Sequence, residues 1–187
     1  MTLPPDLTLR APVPDDIPAI AALVAACDET YRAWAPAGWE PPPPGRELDR
    51  WRGRIADGSW WTRVAAEPGD RVVGLVCFTQ AVVQRTLPSP PGRPERAGVL
   101  TVEPIPGRAH VSAVFTHPDR WREGVAAAML ADAEGVMRGE GYREVQLWTP
   151  QQAPARRFYE ATGWRHDGRV QWLAELALPI VAYVKAL

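Results

Sequence analysis

The segment from Val114 to Leu130, Val-Phe-Thr-His-Pro-Asp-Arg-Trp-Arg-Glu-Gly-Val-Ala-Ala-Ala-Met-Leu, carries the most chemistry in this chain. An apolar strand runs into a turn at Pro118, and an alanine-rich helix follows Gly124. The first amides of a helix have no intrahelical acceptor. Together with the helix dipole they attract anions, and a diphosphate is a natural occupant. Gly124 lets the backbone approach a ligand without a Cβ in the way. Ala126, Ala127 and Ala128 keep the first turn slim, while Arg120 and Arg122 add positive charge beside it. The same residues also suit a plain strand-turn-helix whose glycine serves packing. Neither Gly-x-Gly-x-x-Gly nor Gly-x-x-x-x-Gly-Lys-Ser/Thr occurs, so dinucleotide-fold and P-loop readings lose their main support.

Those residues need a frame, and the pattern around them supplies one. Leu7 to Arg10 alternates as a short strand that Pro12 and Pro14 end. Asp15 and Asp16 sit where a helix begins, with Ile17, Ile20, Ala21, Leu23 and Val24 at helical spacing. Pro41 to Pro44 exclude helix and favour extended polyproline geometry. Arg46 to Ile55 predicts a second helix with Leu48, Trp51 and Ile55 on one side. Trp60 to Ala66 and Arg71 to Val82 predict strands joined at Pro68-Gly69-Asp70. Gln84 to Pro106, rich in Pro, Gly and Arg, reads as an irregular insertion with a brief strand at Val99 to Val102. His110 to Thr116 is a strand, and Val125 to Arg138 a helix ended by Gly139 and Gly141. Glu144 to Trp148 is a strand, and Pro154 to Thr162 a helix ended by Gly163. Leu173 to Val184 supplies closing strands, with Pro179 at an edge or bulge. The order predicts one α/β (α+β) domain over residues 1–187, built on a mixed sheet.

A chain that is 46% hydrophobic and 23% charged can pack a sizeable core and is not wholly disordered. A formal charge of −1 gives no global pull toward nucleic acid or an acidic membrane surface. Lys185 is the only lysine, so nearly all positive charge is arginine. Cys27 and Cys77 lie far apart on apolar segments and read as buried thiols rather than a disulfide or a metal site. No apolar stretch nears the ~20 residues of a membrane span, and Met1 to Arg10 does not read as a secretory signal. A soluble cytoplasmic protein is expected, with no nucleic-acid, membrane or metal partner.

The turn resembles that of the GCN5-related N-acetyltransferase (GNAT) family. Its acetyl-CoA turn reads Gln/Arg-x-x-Gly-x-Gly/Ala after a strand ending near Val-x-Pro. Thr116-His117-Pro118 matches the strand end with Thr for Val, and Trp121-Arg122-Glu123-Gly124-Val125-Ala126 matches the turn, with Trp121 departing from Gln/Arg. Downstream, Gln152 to Trp164 is similar to the family's Asn-x-x-Ala-x-x-x-Tyr…Gly-Phe block. Ala155, Tyr159 and Gly163 keep their spacing, while Gln152 and Trp164 replace Asn and Phe. Two ordered motifs separated by a helix and a strand are more specific than either alone. The resemblance implies a mostly antiparallel mixed sheet flanked by helices and splayed at an acetyl-CoA site.

It further implies direct acetyl transfer from acetyl-CoA to the amine of a small molecule in a ternary complex. On this expectation the backbone of Phe115 and Thr116 offers oxyanion donors. Arg120, Trp121, Arg122, Glu123, Gly124, Val125, Ala126 and Ala127 line the diphosphate, and Gln152 and Ala155 border the acyl carrier. Glu123 is expected to point away to solvent. Tyr159 matches the family's proton donor to the leaving thiolate. A tyrosine near ~10 is a weaker acid than a thiol near ~8.5, so it must be tuned or must act through a hydrogen bond. The base is open between His110, His117, Glu103 and a water chain. Tyr31, Trp34, Trp39, Trp51, Trp60 and Trp61 cluster where the family places its acceptor-binding helices. They read either as core filling or as an aromatic pocket for an apolar, aromatic or cationic amine. Tyr31, Trp34, Trp39 and, from a later strand, Trp148 are the candidate acceptor contacts, and Trp172 could reach the same cleft. The Pro-rich insertion is a lid, a homodimer contact or a surface loop. A catalytically silent acyl-CoA-binding module and a protein N-terminal acetyltransferase remain alternatives.

Overall fold

The alternating residues on either side of the Pro-rich segment form the middle of one sheet. In a computed structural model, which describes residues 2–43, 45–86 and 100–187, seven strands pair in the order β1-β2-β3-β4-β5-β7-β6. They are β1 (Thr8–Arg10), β2 (Trp61–Ala66), β3 (Val72–Thr86), β4 (Leu100–Thr116), β5 (Glu144–Pro150), β6 (Arg165–Leu173) and β7 (Leu178–Ala186). Every pairing is antiparallel except that of β4 with β5. A parallel pair needs a crossover, and α3 (Val125–Gly139) provides it. The remaining helices are α1 (Ile17–Glu29), α2 (Gly45–Ala56) and α4 (Ala155–Ala161). This is the mixed sheet that the element order predicts, and mostly antiparallel as the family resemblance implies.

Each face of the sheet has its own core. Ile17, Ile20, Leu23, Val24 and Cys27 of α1 and Trp51 of α2 pack on Val64, Leu75, Cys77 and Ala113. Val125, Met129, Ala133 and Met137 of α3 and Tyr159 of α4 pack on the opposite face, against Val73, Val76, Phe78, Val111, Val145 and Tyr183. The 3.6-residue stripe of α1 runs past Val24 into a buried Asp28. That acid on the apolar face is the first sign that α1 does more than pack.

Two expectations change. The segment read as an irregular insertion is strand at both described ends. Val82↔Pro104, Val83↔Glu103 and Thr86↔Leu100 extend the β3–β4 hairpin. β-branched Val82, Val83 and Val102 favour strand, and Pro104 and Pro106 are tolerated because β5 pairs only with Arg108 to Val111 of β4. Residues 87–99, including the start of the brief strand expected at Val99, lie outside the described residues, as does Pro44. The closing strands also begin earlier: β6 starts at Arg165, where polar alternation on an edge strand hid the signal. Pro179 is the second residue of β7 and faces Trp172. The two thiols are free and buried, as read from the sequence.

α3 lies close over β3, and Gly74 is where that closeness shows. A Cβ there would sit 2.9 Å from Met129 Sδ and 3.0 Å from Ala65 Cβ. Overpacking such a contact costs about 1–3 kcal/mol. Gly74→Val should therefore lower the urea unfolding midpoint by that amount of free energy with an unchanged m-value.

Candidate functional site

β4 and β5 share only four paired positions, Arg108↔Glu144 to Val111↔Leu147. Ser112 is then an extra residue, because Cys77 pairs with Ala113 while Phe78 pairs with Val111. A bulge bends its strand and breaks pairing. Beyond it β4 stays with β3 as far as Thr116↔Gly74, while β5 stays with β7 as far as Pro150↔Ile180. Among the described residues Ser112 to Thr116 therefore have an edge without a strand neighbour. The His117 amide donates to Val73 O at 2.8 Å. Alternation along β4 then turns the Phe115 amide to β3 and those of Val114 and Thr116 to the gap. Of the two oxyanion donors expected from sequence, Thr116 faces the gap. The Phe115 amide belongs to the ladder, and that of its neighbour Val114 faces the gap instead.

The turn after β4 is tied down tightly. Thr116 O accepts from the Trp121 indole at 2.8 Å and from the Cys27 thiol at 3.3 Å. Arg120 reaches Asp6 at 2.8 Å and Glu67 at 3.1 Å. Its Nε lies 2.9 Å from Glu123 as an ion pair whose angle makes no hydrogen bond. Arg120 thus holds the turn rather than offering its charge outward, and Glu123, exposed to solvent, also pairs with it. Arg122, exposed at φ 68°, has no side-chain partner among the described residues. Gly124 adopts φ 84°, a left-handed conformation that favours glycine, and caps α3 without a side-chain hydrogen bond. Its carbonyl accepts from the Ala128 amide at 2.9 Å. Among the described residues the amides of Val125, Ala126 and Ala127 have no acceptor. A Cβ on Gly124 would meet nothing within 4 Å, so its backbone conformation, not crowding by the protein, asks for glycine.

At the bulge the two faces of the sheet meet in one cavity of ≈ 440 Å³. Tyr159 enters it from α4, Trp148 from β5, His110 and Phe115 from β4, and Trp121 from the turn. Asp28, Tyr31, Trp34, Glu47 and Trp51 close it from the α1 and α2 side. Ala155 also lines it, whereas Gln152 is exposed on the turn before α4 and outside it. Trp39 does not line it either. Its indole donates to Leu176 O at 2.7 Å, and it stacks on Tyr31 with ring centroids 5.8 Å apart. Trp60 and Trp61 lie elsewhere, and Trp172 is 64% exposed on the edge strand β6. Tertiary structure thus divides the tryptophan cluster into wall, support and surface.

Burial sets the ionisation of the wall. It pushes the Tyr159 hydroxyl up to about 12, so that group is a proton-bearing donor at neutral pH. It lowers His110 to about 4, and among the described residues the ring Nδ1 has no hydrogen-bond partner. His117 instead caps the turn, accepting from the Asp119 amide at 3.3 Å. Glu103 lies on the extended hairpin opposite Val83 and does not line the cavity. Asp28, pushed up to about 7 by burial and by the Glu47 charge, is the acid that sequence reasoning missed. The signal was present: Asp28 sits four residues after Val24, on a stripe where a charge needs a reason.

The model of the acetyltransferase (GNAT) family matches residues 24–164. No curated protein sequence matches the chain. Among solved structures, an acetyltransferase from Thermus thermophilus is 18% identical with a TM-score of 0.65, covering 97% of each chain. The PaiA N-acetyltransferase from Thermoplasma acidophilum, in complex with coenzyme A, is 12% identical with a TM-score of 0.60, covering 97% of this chain and 99% of that one. A spermidine N-acetyltransferase chimera from Vibrio cholerae is 15% identical with a TM-score of 0.63, covering 97% and 95%. At these identities the likeness is one of fold. Among the described residues no helix is long and apolar enough to cross a membrane.

His110 gives a test of the buried wall. Its folded value, about 4, lies below the ordinary 6.5, so the unfolded chain binds its proton more readily. His110 therefore costs stability progressively as pH falls from about 6.5 to about 4, by ~3 kcal/mol at most. Relative to the parent, His110→Gln should gain stability across that window in urea titrations and show no pH-dependent gain above pH ~7.5.

Proposed function

Because this chain belongs to the acetyltransferase (GNAT) family, we propose that it transfers the acetyl group of acetyl-CoA to the nitrogen of a small-molecule amine, both held at once in the gap between β4 and β5. The observation that carries this reading is the single cavity at the strand divergence, walled by the ordinary donor groups of one face and the aromatic rings of the other. Acetyl-CoA is the family's acyl donor, and the residues present fit it. The unpaired amides of Val125, Ala126 and Ala127, behind a left-handed Gly124, would hold its diphosphate. Arg122 is the nearby arginine left free to approach it, and Trp121 lines the path from the cavity to the turn. When bound, acetyl-CoA supplies an activated carbonyl carbon as a thioester.

The chain's own groups do the rest. The Val114 and Thr116 amides point where a carbonyl oxygen gathers charge, and fixed donors of this kind stabilise an oxyanion without reorganising. The Tyr159 hydroxyl, at about 12, is too weak an acid to protonate a thiolate near ~8.5 outright, a difference of ~5 kcal/mol. Its contribution is a hydrogen bond that strengthens as charge grows on sulfur. Tyr31, Trp34 and Trp51 exclude water and orient the acceptor, which lowers the entropic cost of the encounter.

Calorimetric titration with acetyl-CoA tests the donor site. Gly124→Val, which forces a branched residue into φ 84°, costs about 1–2 kcal/mol of backbone strain. It should weaken acetyl-CoA binding tenfold or more while circular dichroism shows the fold retained; equal affinity would remove the diphosphate seat. Thiol release over a panel of amines tests transfer. Tyr159→Phe should lower kcat about 10- to 100-fold with KM for acetyl-CoA within a factor of two. Full kcat would strip Tyr159 of its part, and binding without thiol release from the parent enzyme would leave a silent acyl-CoA-binding module.

A further inference from the structure

One acid in the cavity wall is buried without a partner. Asp28 is 7% exposed, lines the cavity, and makes no side-chain hydrogen bond or ion pair among the described residues. A carboxylate in that position is costly unless something pairs with it. Its neighbours are committed elsewhere. Glu47 Oε1 holds Arg50 at 3.0 Å, and its Oε2 accepts from the Trp51 indole at 3.1 Å. Glu175 pairs with Arg46 at 3.4 Å. Arg54 is stacked between Trp51 and Trp60, at 4.9 and 4.4 Å from the ring centres. Tyr31 and Trp34, 4.6 Å apart, and Trp51 line the same cavity with their π systems, surfaces that attract a cation.

We propose that Asp28 receives the acceptor as its ammonium form and takes its proton, so that the natural acceptor is a primary amine carrying one positive charge on an apolar or aromatic body. This rests on the acetyl-transfer reading and deepens it. An alkyl amine near ~10.4 is neutral in only about one molecule in 10³ at pH 7, and only the neutral form is a nucleophile. Asp28 lines the cavity that Tyr159 also lines. Held by burial and by Glu47 at about 7, it is ionised often enough to pair with the ammonium and basic enough to accept from it. The charges that act on it are Glu29 from its own helix and Glu47 and Arg50 from α2; Tyr31 and Cys27 feel it in turn, and His110, Arg46, Arg54 and Glu175 share the wall. The step balances. One ammonium proton passes to Asp28, the amine nitrogen bonds the acetyl carbon as the carbon–sulfur bond breaks, and the second proton ends on the departing thiolate. Asp28 then returns its proton to solvent. Among the described residues the unpaired charges of the wall are Asp28 and Arg54, one of each sign, so a second ammonium on the acceptor meets an arginine rather than another carboxylate.

Asp28→Asn keeps the shape and removes the charge. With 2-phenylethylamine, benzylamine and hexylamine as probes, calorimetry at pH 8 should show binding to the parent and at least tenfold weaker binding to the variant. Equal affinities, or no binding of any of the three to a parent that binds acetyl-CoA, overturn the proposal and leave acetyl transfer standing. For an amine that turns over, kcat/KM of the parent should rise through an inflection near pH 7 and then level off. The variant should fall about 10²-fold and climb without a plateau toward the amine's own ~10. An unchanged profile overturns the proposal. A third readout needs no ligand. The folded value of Asp28 lies above the ordinary 3.8, so its ionised form costs stability that appears as pH rises from about 4 and is complete above about 7. The variant should melt several degrees higher than the parent at pH 8 and alike at pH 4. A variant that melts lower at pH 8 means that Asp28 is paired in the folded chain, and that overturns it. A parent that releases no thiol with any amine sinks acetyl transfer itself, and binding and melting then decide Asp28 alone.

Discussion

The molecule depends on two strands that start as neighbours and part. β4 and β5 pair for four residues, and the extra Ser112 then ends the register. Backbone groups left without a partner must find one elsewhere, in protein, water or ligand. The carbonyl of Thr116 finds the Trp121 indole and the Cys27 thiol. The amides on the same edge are left facing a gap. Because α3 has to carry the chain across to a parallel strand, its N-terminus comes just after that gap, and its own first amides are bare as well. A topological requirement and a one-residue insertion thus create two sets of unpaired donors close in the chain, and the proposed acetyl-CoA site rests on both.

The divergence also joins the two cores. In an unbroken sheet Tyr159, on the α3 and α4 face, could not share a cavity with Tyr31 and Asp28 on the α1 and α2 face. Here they line one space. The low dielectric of that space keeps the Tyr159 proton on, keeps His110 neutral, and makes Asp28 reluctant to ionise. His110 and Asp28 pull stability in opposite directions between pH 4 and 7. The fold carries both because the rings and helices around the cavity exclude water for other reasons.

The turn before α3 shows how a motif can keep its backbone and rewire its side chains. Trp121 stands where the family's pattern has Gln or Arg, and its indole closes the end of β4. Arg120 ties the turn to Asp6 and Glu67 and draws in Glu123, so an acid beside the proposed diphosphate seat is neutralised within the turn. What remains for an anion is mostly main chain, which is indifferent to side-chain identity.

The sequence alone carried the mixed sheet, α3 and the glycine before it, because these follow from local rules: periodicity, proline and glycine punctuation, and the geometry of a helix start; Tyr159 stood out only through the motif's resemblance to the family block. The hairpin ends around the Pro-rich segment and the early start of β6 escaped it, since an edge strand tolerates proline and polar residues that a central one would not. The proposed site was half legible. The proposed phosphate end is contiguous in the chain. The proposed acceptor end is assembled from α1, α2, β4, β5 and α4, and no local pattern says which of several tryptophans reach that cavity or that Trp39 is anchored on Leu176 instead. Asp28 was visible only as a charge on an apolar stripe. That it is buried, unpaired and open to the same space as Tyr159 is decided by where two helices land on a sheet that divides, a matter of packing across long sequence separations.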